Sequence, residues 1–301
     1  MHHGIVTGTD ITIKALTCSA LVGLLGAVGL RLTWQEVRAA LVRCRLGVIV
    51  ATNFVVVPAL VVAAAKIFKL ERDTVVAMVL LAAAPFAPVV PVFARLARAD
   101  LALAAGLTAS FPIVSVILTP LVARTSMALL ADAAALRFNM LVSLATLAAT
   151  ISLPLTAGVL LRHYAPNAGR RLLRPVELLS EATGAASLAF VAVTEFRSIT
   201  NLGWRAWVAM AILFEVSVLI GWLLGGSNRG SRQVIALGTS NRNIALALLI
   251  AVQSFPGTPI IAGVVGNGLL LIGLGLLHVG WWRLMDMRRC PADLPGRATR
   301  N

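Results

Sequence analysis

The amino-acid sequence predicts an all-α polytopic membrane protein, and its composition is the first observation that supports this prediction. Of its 301 residues, 59% are hydrophobic and only 13% are charged, and the mean hydropathy is +0.91. A soluble domain carries about 25% charged residues, so this chain has too few charges to cover a surface in water. The apolar content excludes a disordered chain, and the glycines lack the period of collagen.

Nine apolar stretches are long enough to cross a bilayer, which requires roughly 20 residues of helix. The first stretch is interpreted as a span rather than a cleavable signal, because no basic segment precedes it. Charged clusters separate the nine predicted spans, which lie at approximately 11–30, 46–66, 73–97, 101–124, 138–161, 175–196, 204–226, 231–254 and 257–282.

The basic residues predict how the spans are oriented. With nine spans, one face of the membrane holds 17 basic residues and the other holds 8, while Arg242 lies inside a span. Cytoplasmic loops are rich in Lys and Arg, so we expect a cytoplasmic C-terminus and an external N-terminus in the cell (inner) membrane. The net charge of +14 therefore reflects loops and not a nucleic-acid partner. The amphipathic segment Trp34–Arg45 predicts an interfacial helix on the cytoplasmic face.

Enzymatic chemistry has no support in the sequence. The three cysteines, Cys18, Cys44 and Cys290, lie far apart, and the four histidines show no ligand spacing. The spans contain no Ser–His, paired Asp or HExxH arrangement. We therefore expect neither an enzyme nor a bound cofactor.

Two of the predicted spans are interrupted. The third contains Pro85, Pro88 and Pro91, and each proline removes a backbone donor and obstructs the carbonyl one turn back. These prolines alone are equally explained by a structural kink. The eighth span contains six small or polar residues at 238–243, which membrane depth tolerates only beside protein or a water-filled cavity. Each interrupted span is the second-last of its half, a pattern that indicates a transporter's binding site near the midplane.

At these interruptions the chain resembles the bile acid:sodium symporter family, through the stretches at 68–109 and at 238–248. In order, spacing and span count the resemblance covers nearly the whole chain. It implies an inverted-repeat transporter fold with two broken crossing helices, in which a panel domain moves against a core domain. On that pattern 1–301 forms one transmembrane unit, with panel-like helices at about 11–30, 138–161 and 175–196 and core-like helices at about 46–124 and 204–282.

The resemblance also implies two sodium sites near the crossing, but most of their ligand positions differ in this chain. The change to Gly238 removes a glutamate that serves both ions in the family. Thr108 and Asn243 keep an oxygen at the corresponding positions. The other positions that lack the family's oxygen ligand are Val57, Val90, Pro91, Ala104 and Arg242.

Arg242 aligns with a sodium ligand, and two cations in one low-dielectric site repel strongly. We therefore predict that Arg242 replaces the ion as a fixed charge, which joins the broken helices or neutralises an anionic substrate. Glu215 is its first candidate partner and a candidate proton-coupling group, and it is equally explained by a structural pair or a wet vestibule; Glu181 is the second candidate. The predicted site residues are Arg242, Asn243, Asn241, Ser240, Thr239, Thr108 and Glu215, with Pro85, Pro88, Pro91 and Gly238 at the crossing.

The leading interpretation is a secondary transporter that moves a small organic anion, bile-acid-like or another carboxylate, across the lipid bilayer by alternating access. One alternative is a sodium-coupled symporter of the same family, whose ion is held by backbone carbonyls together with Thr108, Thr239, Ser240 and Asn243. A second alternative is a non-transporting membrane sensor or receptor on the same fold. The sequence leaves the substrate, the coupling ion and the oligomeric state open.

Overall fold

The computed structural model describes residues 8–31, 45–130 and 138–289, and within these ranges the chain forms helices and no strand. The predicted interfacial helix at Trp34–Arg45 lies outside the described residues, except for Arg45. In chain order the helices are α1 Gly8–Arg31, α2 Leu46–Phe68, α3 Arg72–Ala82, α4 Val90–Leu96, α5 Leu101–Leu130, α6 Met140–Tyr164, α7 Pro166–Thr194, α8 Phe196–Thr200, α9 Trp204–Leu224, α10 Arg229–Ser240, α11 Ile244–Ser254 and α12 Ile260–Arg289.

Seven of the helices in the described part of the chain are long and apolar enough to cross a membrane: α1, α2, α5, α6, α7, α9 and α12. The other two predicted spans, 73–97 and 231–254, are each divided into two short helices, α3 with α4 and α10 with α11. The protein is therefore an all-α multi-pass membrane protein, as predicted, while the count of nine spans stays a prediction.

Several helices extend beyond the predicted spans. The sixth span was expected to begin near 175, but α7 begins at Pro166 and continues through Pro175. The added turns carry Arg170, Arg171 and Arg174. Backbone hydrogen bonds can form in water as well as in lipid, so a helix can continue beyond its apolar stretch. Hydropathy therefore predicts a span that is shorter than the helix.

Two of the long helices contain a wider π turn, at Thr52–Val56 in α2 and at Ala148–Ser152 in α6. Each turn is followed by a proline at the second position of the next helical segment, Pro58 and Pro154. Proline lacks the N–H that an α-helix needs, and its ring displaces the carbonyl of the preceding turn. The wider turn accommodates this defect and lets both helices continue across the membrane.

Helices α1, α6 and α7 pack closely on one another and form a unit that we call the three-helix layer. Its tightest contact joins α1 to α6, where a Cβ atom on Gly29 would overlap the carbonyl of Leu155 and one on Gly158 would overlap that of Gly26. Glycine at both positions allows the two backbones to touch, as small residues do between helices in membranes. The layer meets the rest of the molecule where α1 contacts α11, α6 contacts α5 and α7 contacts α12.

Helix ends that the sequence predicts on the membrane face with 17 basic residues also contact one another in the structure. Arg31 forms an ion pair with Glu177, and Arg162 donates to the carbonyl of Leu30 at 2.8 Å. Arg283 donates to the carbonyl of Leu96 at 3.0 Å. We call this side of the molecule the arginine-rich end. These contacts agree with the predicted alternation of spans, and its orientation in the cell stays a prediction.

Candidate functional site at the crossing of two interrupted spans

The two interruptions lie against each other and pair through their backbones. Pro85 and Arg242 form an antiparallel bridge. On one side of it the N–H of Ala87 donates to the carbonyl of Asn241 at 3.2 Å, and on the other the N–H of Asn243 donates to the carbonyl of Ala84 at 2.7 Å. Backbone groups that the broken helices leave open thus bind each other, as the membrane interior requires.

Three consecutive carbonyls at the C-terminal end of α3 accept hydrogen bonds from other parts of the chain. The guanidinium Nη1 of Arg242 donates to the carbonyl of Ala82 at 3.3 Å, and Oγ1 of Thr119 donates to that of Ala83 at 2.6 Å. The third carbonyl, on Ala84, accepts from Asn243 as described above. A helix C-terminus carries partial negative charge, so the cation of Arg242 is favourably placed there.

Arg242 is nearly completely buried, with 4% of its surface exposed. Its Nη2 has no hydrogen-bond partner, and no carboxylate in the described ranges lies within ion-pair distance of it. A buried guanidinium without an anionic partner is unfavourable, because its charge has lost water and gained little in return. One amine of Arg242 therefore joins the broken helices, and the other is buried without a partner among the described residues.

Phe86, which sequence reasoning missed, fills the centre of the crossing. It is fully buried, adopts a left-handed backbone conformation with φ 59°, and stacks on Phe111 with ring centroids 4.3 Å apart. A Cβ atom on Gly238 would overlap its ring, so Gly238 makes the space for Phe86. A left-handed phenylalanine is a strained conformation that the surrounding packing must hold. The only signal in the sequence is a large aromatic residue between two prolines.

The prolines of the first interruption have separate positions. Pro85 lies in the backbone bridge, and Pro91 lies in the first turn of α4, where a helix does not use its N–H. Pro88 lies between them and lines the two cavities described next.

A cavity of about 380 Å³ lies between the three-helix layer and the crossing. We call it the crossing cavity. Arg242, Asn241 and Asn243 line it from the crossing, and Glu181 lines it from α7. Most of its other lining residues are apolar, and among its hydroxyls Thr17 and Ser187 bind each other at 2.7 Å. The crossing cavity therefore offers one cationic and one anionic side chain in an apolar surround.

A second cavity of about 90 Å³, the mouth cavity, continues from the first toward the arginine-rich end. The two cavities share four lining residues, namely Leu24, Pro88, Val92 and Glu181. Arg31, Arg95 and Arg174 line the mouth cavity beside Glu177. Basic side chains around an opening attract anions and raise their local concentration. Three arginines thus line the mouth cavity, and Arg242 lines the crossing cavity that adjoins it.

The model of the sodium bile acid symporter family matches residues 19–202, which is more than half of the chain. The chain belongs to that family. The matched range includes the first interruption and the whole of α7, while the second interruption lies beyond it. No curated protein sequence matches the chain significantly. Membership in this transporter family indicates a carrier of small molecules in a membrane and agrees with the expectation that the protein is not an enzyme.

The candidate sodium ligands of this symporter-family chain have different contacts in the structure. Oδ1 of Asn243 caps α11 by accepting from the N–H of Leu246 at 3.0 Å, and Oγ1 of Thr239 accepts from Asn53 at 3.4 Å. Ser240 donates to the carbonyl of Ala236 and, together with Arg242, lines a third cavity of about 30 Å³. Thr108 lines the mouth cavity, and its buried hydroxyl has no partner. Hard cations require several oxygens at one centre, whereas these four side chains differ in the groups and the cavities that they contact.

The two acids that were candidate partners of Arg242 differ in position. Oε2 of Glu215 lies 3.2 Å from Nε2 of His278, and 52% of its side chain is exposed. The structure therefore does not bring Glu215 to Arg242, because α9 directs this carboxylate toward α12. Glu181 shares the crossing cavity with Arg242 and forms no ion pair within the described ranges.

Proposed function

We propose that the protein is a secondary transporter of a small organic anion, and that Arg242 binds the anionic group of the substrate. The observation that carries this proposal is a buried arginine whose Nη2 has no partner, beside a largely apolar cavity that adjoins a basic mouth. A carboxylate or sulfonate accepts strong hydrogen bonds from a guanidinium. The apolar lining suits a substrate whose body is hydrophobic.

The three-helix layer corresponds to the panel of the family, and the remaining helices correspond to the core. The crossing cavity lies on the contact surface between these two groups. A shift of one group against the other would close the mouth cavity and open the opposite side, as in alternating access. The close glycine contact between α1 and α6 supports a layer that moves as one body.

Arg242 takes the place of sodium in this proposal. A sodium ion about 4 Å from the guanidinium would be repelled by roughly 4 kcal/mol at an effective dielectric constant of about 20. Such a repulsion lowers the affinity of the ion roughly a thousandfold. The crossing is already joined by Arg242, Thr119 and the backbone of Asn243, so no ion is needed to hold the broken helices together.

The arginine-rich end faces the cytoplasm in this proposal, in the cell membrane, with the N-terminus outside and the C-terminus inside. The mouth cavity then opens to the cytoplasm, and the structure corresponds to an inward-facing state.

Transport by purified protein in liposomes tests the proposal. A thermal-shift screen of organic anions, with sodium and pH varied independently, first selects the anion for the flux measurement. Wild-type protein is expected to move this anion without a sodium gradient. Arg242→Ala is expected to lower the flux roughly a hundredfold, because the buried charge that holds the anion is removed.

Arg205→Ala is the matched control, because Arg205 lies beside Trp204 at the start of α9, away from both cavities. This variant is expected to transport normally. Normal flux by Arg242→Ala would contradict the role of Arg242.

Two other functions are outcomes of the same measurements. Strict dependence on sodium, with thermal stabilisation by sodium alone, would favour the sodium-coupled symporter; the unpartnered hydroxyl of Thr108 is the feature that favours it. Saturable anion binding without flux would favour a sensor on the same fold.

A further inference from the structure

Two opposite charges line the crossing cavity on surfaces that belong to different parts of the molecule. Arg242 lies on the crossing, and Glu181 lies on α7, within the three-helix layer. They are not paired in this open arrangement, since no ion pair between them occurs within 4.0 Å. Glu181 also lines the mouth cavity, so its carboxylate lies where the two cavities join.

A carrier with a fixed cation meets a difficulty on its return without substrate. Nη2 of Arg242 is buried and has no hydrogen-bond partner even while the cavity is open, whereas Glu181 is exposed. Closing the cavity removes the solvent beside both residues, and a buried charge without a partner is strongly disfavoured. A bound organic anion removes the difficulty on the loaded step, but the empty carrier needs an anion of its own.

We propose that Glu181 is this internal anion: it pairs with Arg242 when the empty cavity closes and yields the guanidinium to the substrate when the anion binds. This inference rests on the proposed function, because it assigns Glu181 a part in the same transport cycle. Among the residues that line the crossing cavity, Glu181 is the one acidic side chain. Glu177, one turn away on α7, is already engaged by Arg31.

The pairing predicts a specific defect in Glu181→Gln. Exchange of internal for external anion requires only the loaded carrier to close, so it is retained within about twofold of wild type. Net flux requires the empty carrier to close around an unpaired Arg242, so it falls at least about tenfold. Glu195→Gln is the matched control, since it removes the same charge at the end of α7, outside both cavities, and is expected to keep the wild-type ratio.

Both fluxes are measured in liposomes with tritiated taurocholate, whose sulfonate prevents passive leakage, and with the anion selected by the thermal-shift screen. Equal loss, or equal retention, of exchange and net flux in Glu181→Gln would contradict the pairing. Absence of any flux in wild-type protein would instead contradict the proposed function.

A second experiment needs no substrate. Ala185 on α7 and Ala245 on α11 line the crossing cavity from its two sides. In a background without native cysteines, Ala185→Cys with Ala245→Cys reports closure of the empty cavity through the rate of disulfide formation. Glu181→Gln and Arg242→Gln, each alone, are expected to slow this rate at least about tenfold because each leaves one unpaired charge.

The double variant, Glu181→Gln with Arg242→Gln, is expected to recover a rate near that of the unmodified pair, because neither residue is then charged. This recovery separates charge pairing from a merely structural effect and shows that the variants fold. A double variant as slow as the single ones would overturn the inference, as would single variants that cross-link at the unmodified rate.

Discussion

The two interrupted spans break their helices in opposite ways, and the difference explains why they fit together. The first interruption contains prolines, which lack N–H groups, and it presents the carbonyls of Ala82, Ala83 and Ala84. The second contains no proline and supplies donors, through the guanidinium of Arg242 and the N–H of Asn243. The first segment therefore provides mainly acceptors and the second mainly donors, while the N–H of Ala87 donates in the opposite direction to the carbonyl of Asn241.

The two segments also differ in what fills the space around them. The first contributes Phe86, a large ring at the centre of the crossing, and the second contributes Gly238, which has no side chain. In the related symporters the position of Gly238 is a glutamate, according to the resemblance of the motifs. An aromatic contact thus occupies the region of the crossing where a carboxylate would lie.

Phe86→Ala tests the larger of these contributions. Truncating a fully buried phenylalanine is expected to lower the free energy of unfolding by about 3–5 kcal/mol, since a cavity remains where the ring stacked on Phe111. The measurement is thermal unfolding in detergent. Phe196→Ala, at an exposed position in α8, is the control and is expected to change stability little. Equal midpoints for the two variants would show that the ring is not central to the crossing.

Gly238→Ala tests the opposing surface of the same contact. A methyl group there overlaps the ring of Phe86, so we expect a loss of about 1–3 kcal/mol in stability. Gly273→Ala in α12 is the matched control, because nothing lies within 4 Å of its added Cβ atom and alanine favours the helix. A Gly238→Ala protein as stable as the control would mean that the ring moves aside freely.

Thr119→Val removes the hydroxyl that donates to a carbonyl of the first interruption, and it has the smallest expected effect on stability. The carbonyl of Ala83 loses the hydroxyl that lies 2.6 Å away, which costs roughly 1 kcal/mol. Thr125→Val is the control, because its hydroxyl bonds only to carbonyls within its own helix, those of Leu121 and Val122. Hydrogen exchange at the end of α3 should rise in Thr119→Val alone, and unchanged exchange there would contradict this cap.

The fold class and both interruptions could be predicted from the sequence, because they depend on local properties. Apolar length decides whether a helix can cross a membrane, and Pro85 or Arg242 perturbs a span whatever surrounds it. The beginning of α7 at Pro166 could not be placed, because amphipathic turns outside the bilayer lack a hydropathy signal.

The partners across the molecule could not be predicted, since they depend on how helices rotate against each other. Glu215 was expected near Arg242 but contacts His278, which lies 63 positions along the chain. The central position of Phe86 could be recognised only from its contact with Gly238 in the structure. The other candidate acid, Glu181, does line the crossing cavity, and the sequence offered no means of ranking it above Glu215.

The proposed replacement of an ion by Arg242 has a consequence for the energy source of the proposed transporter. A guanidinium held by its own chain cannot dissociate, so it cannot transfer the energy of a sodium gradient to the substrate. The remaining sources include the gradient of the anion itself, a proton gradient and the membrane potential. A potential that is negative inside drives a monovalent anion outward by about 2.3 kcal/mol per 100 mV. A transporter built in this way is expected to favour export of its substrate, and imposing that potential on liposomes should accelerate efflux over influx.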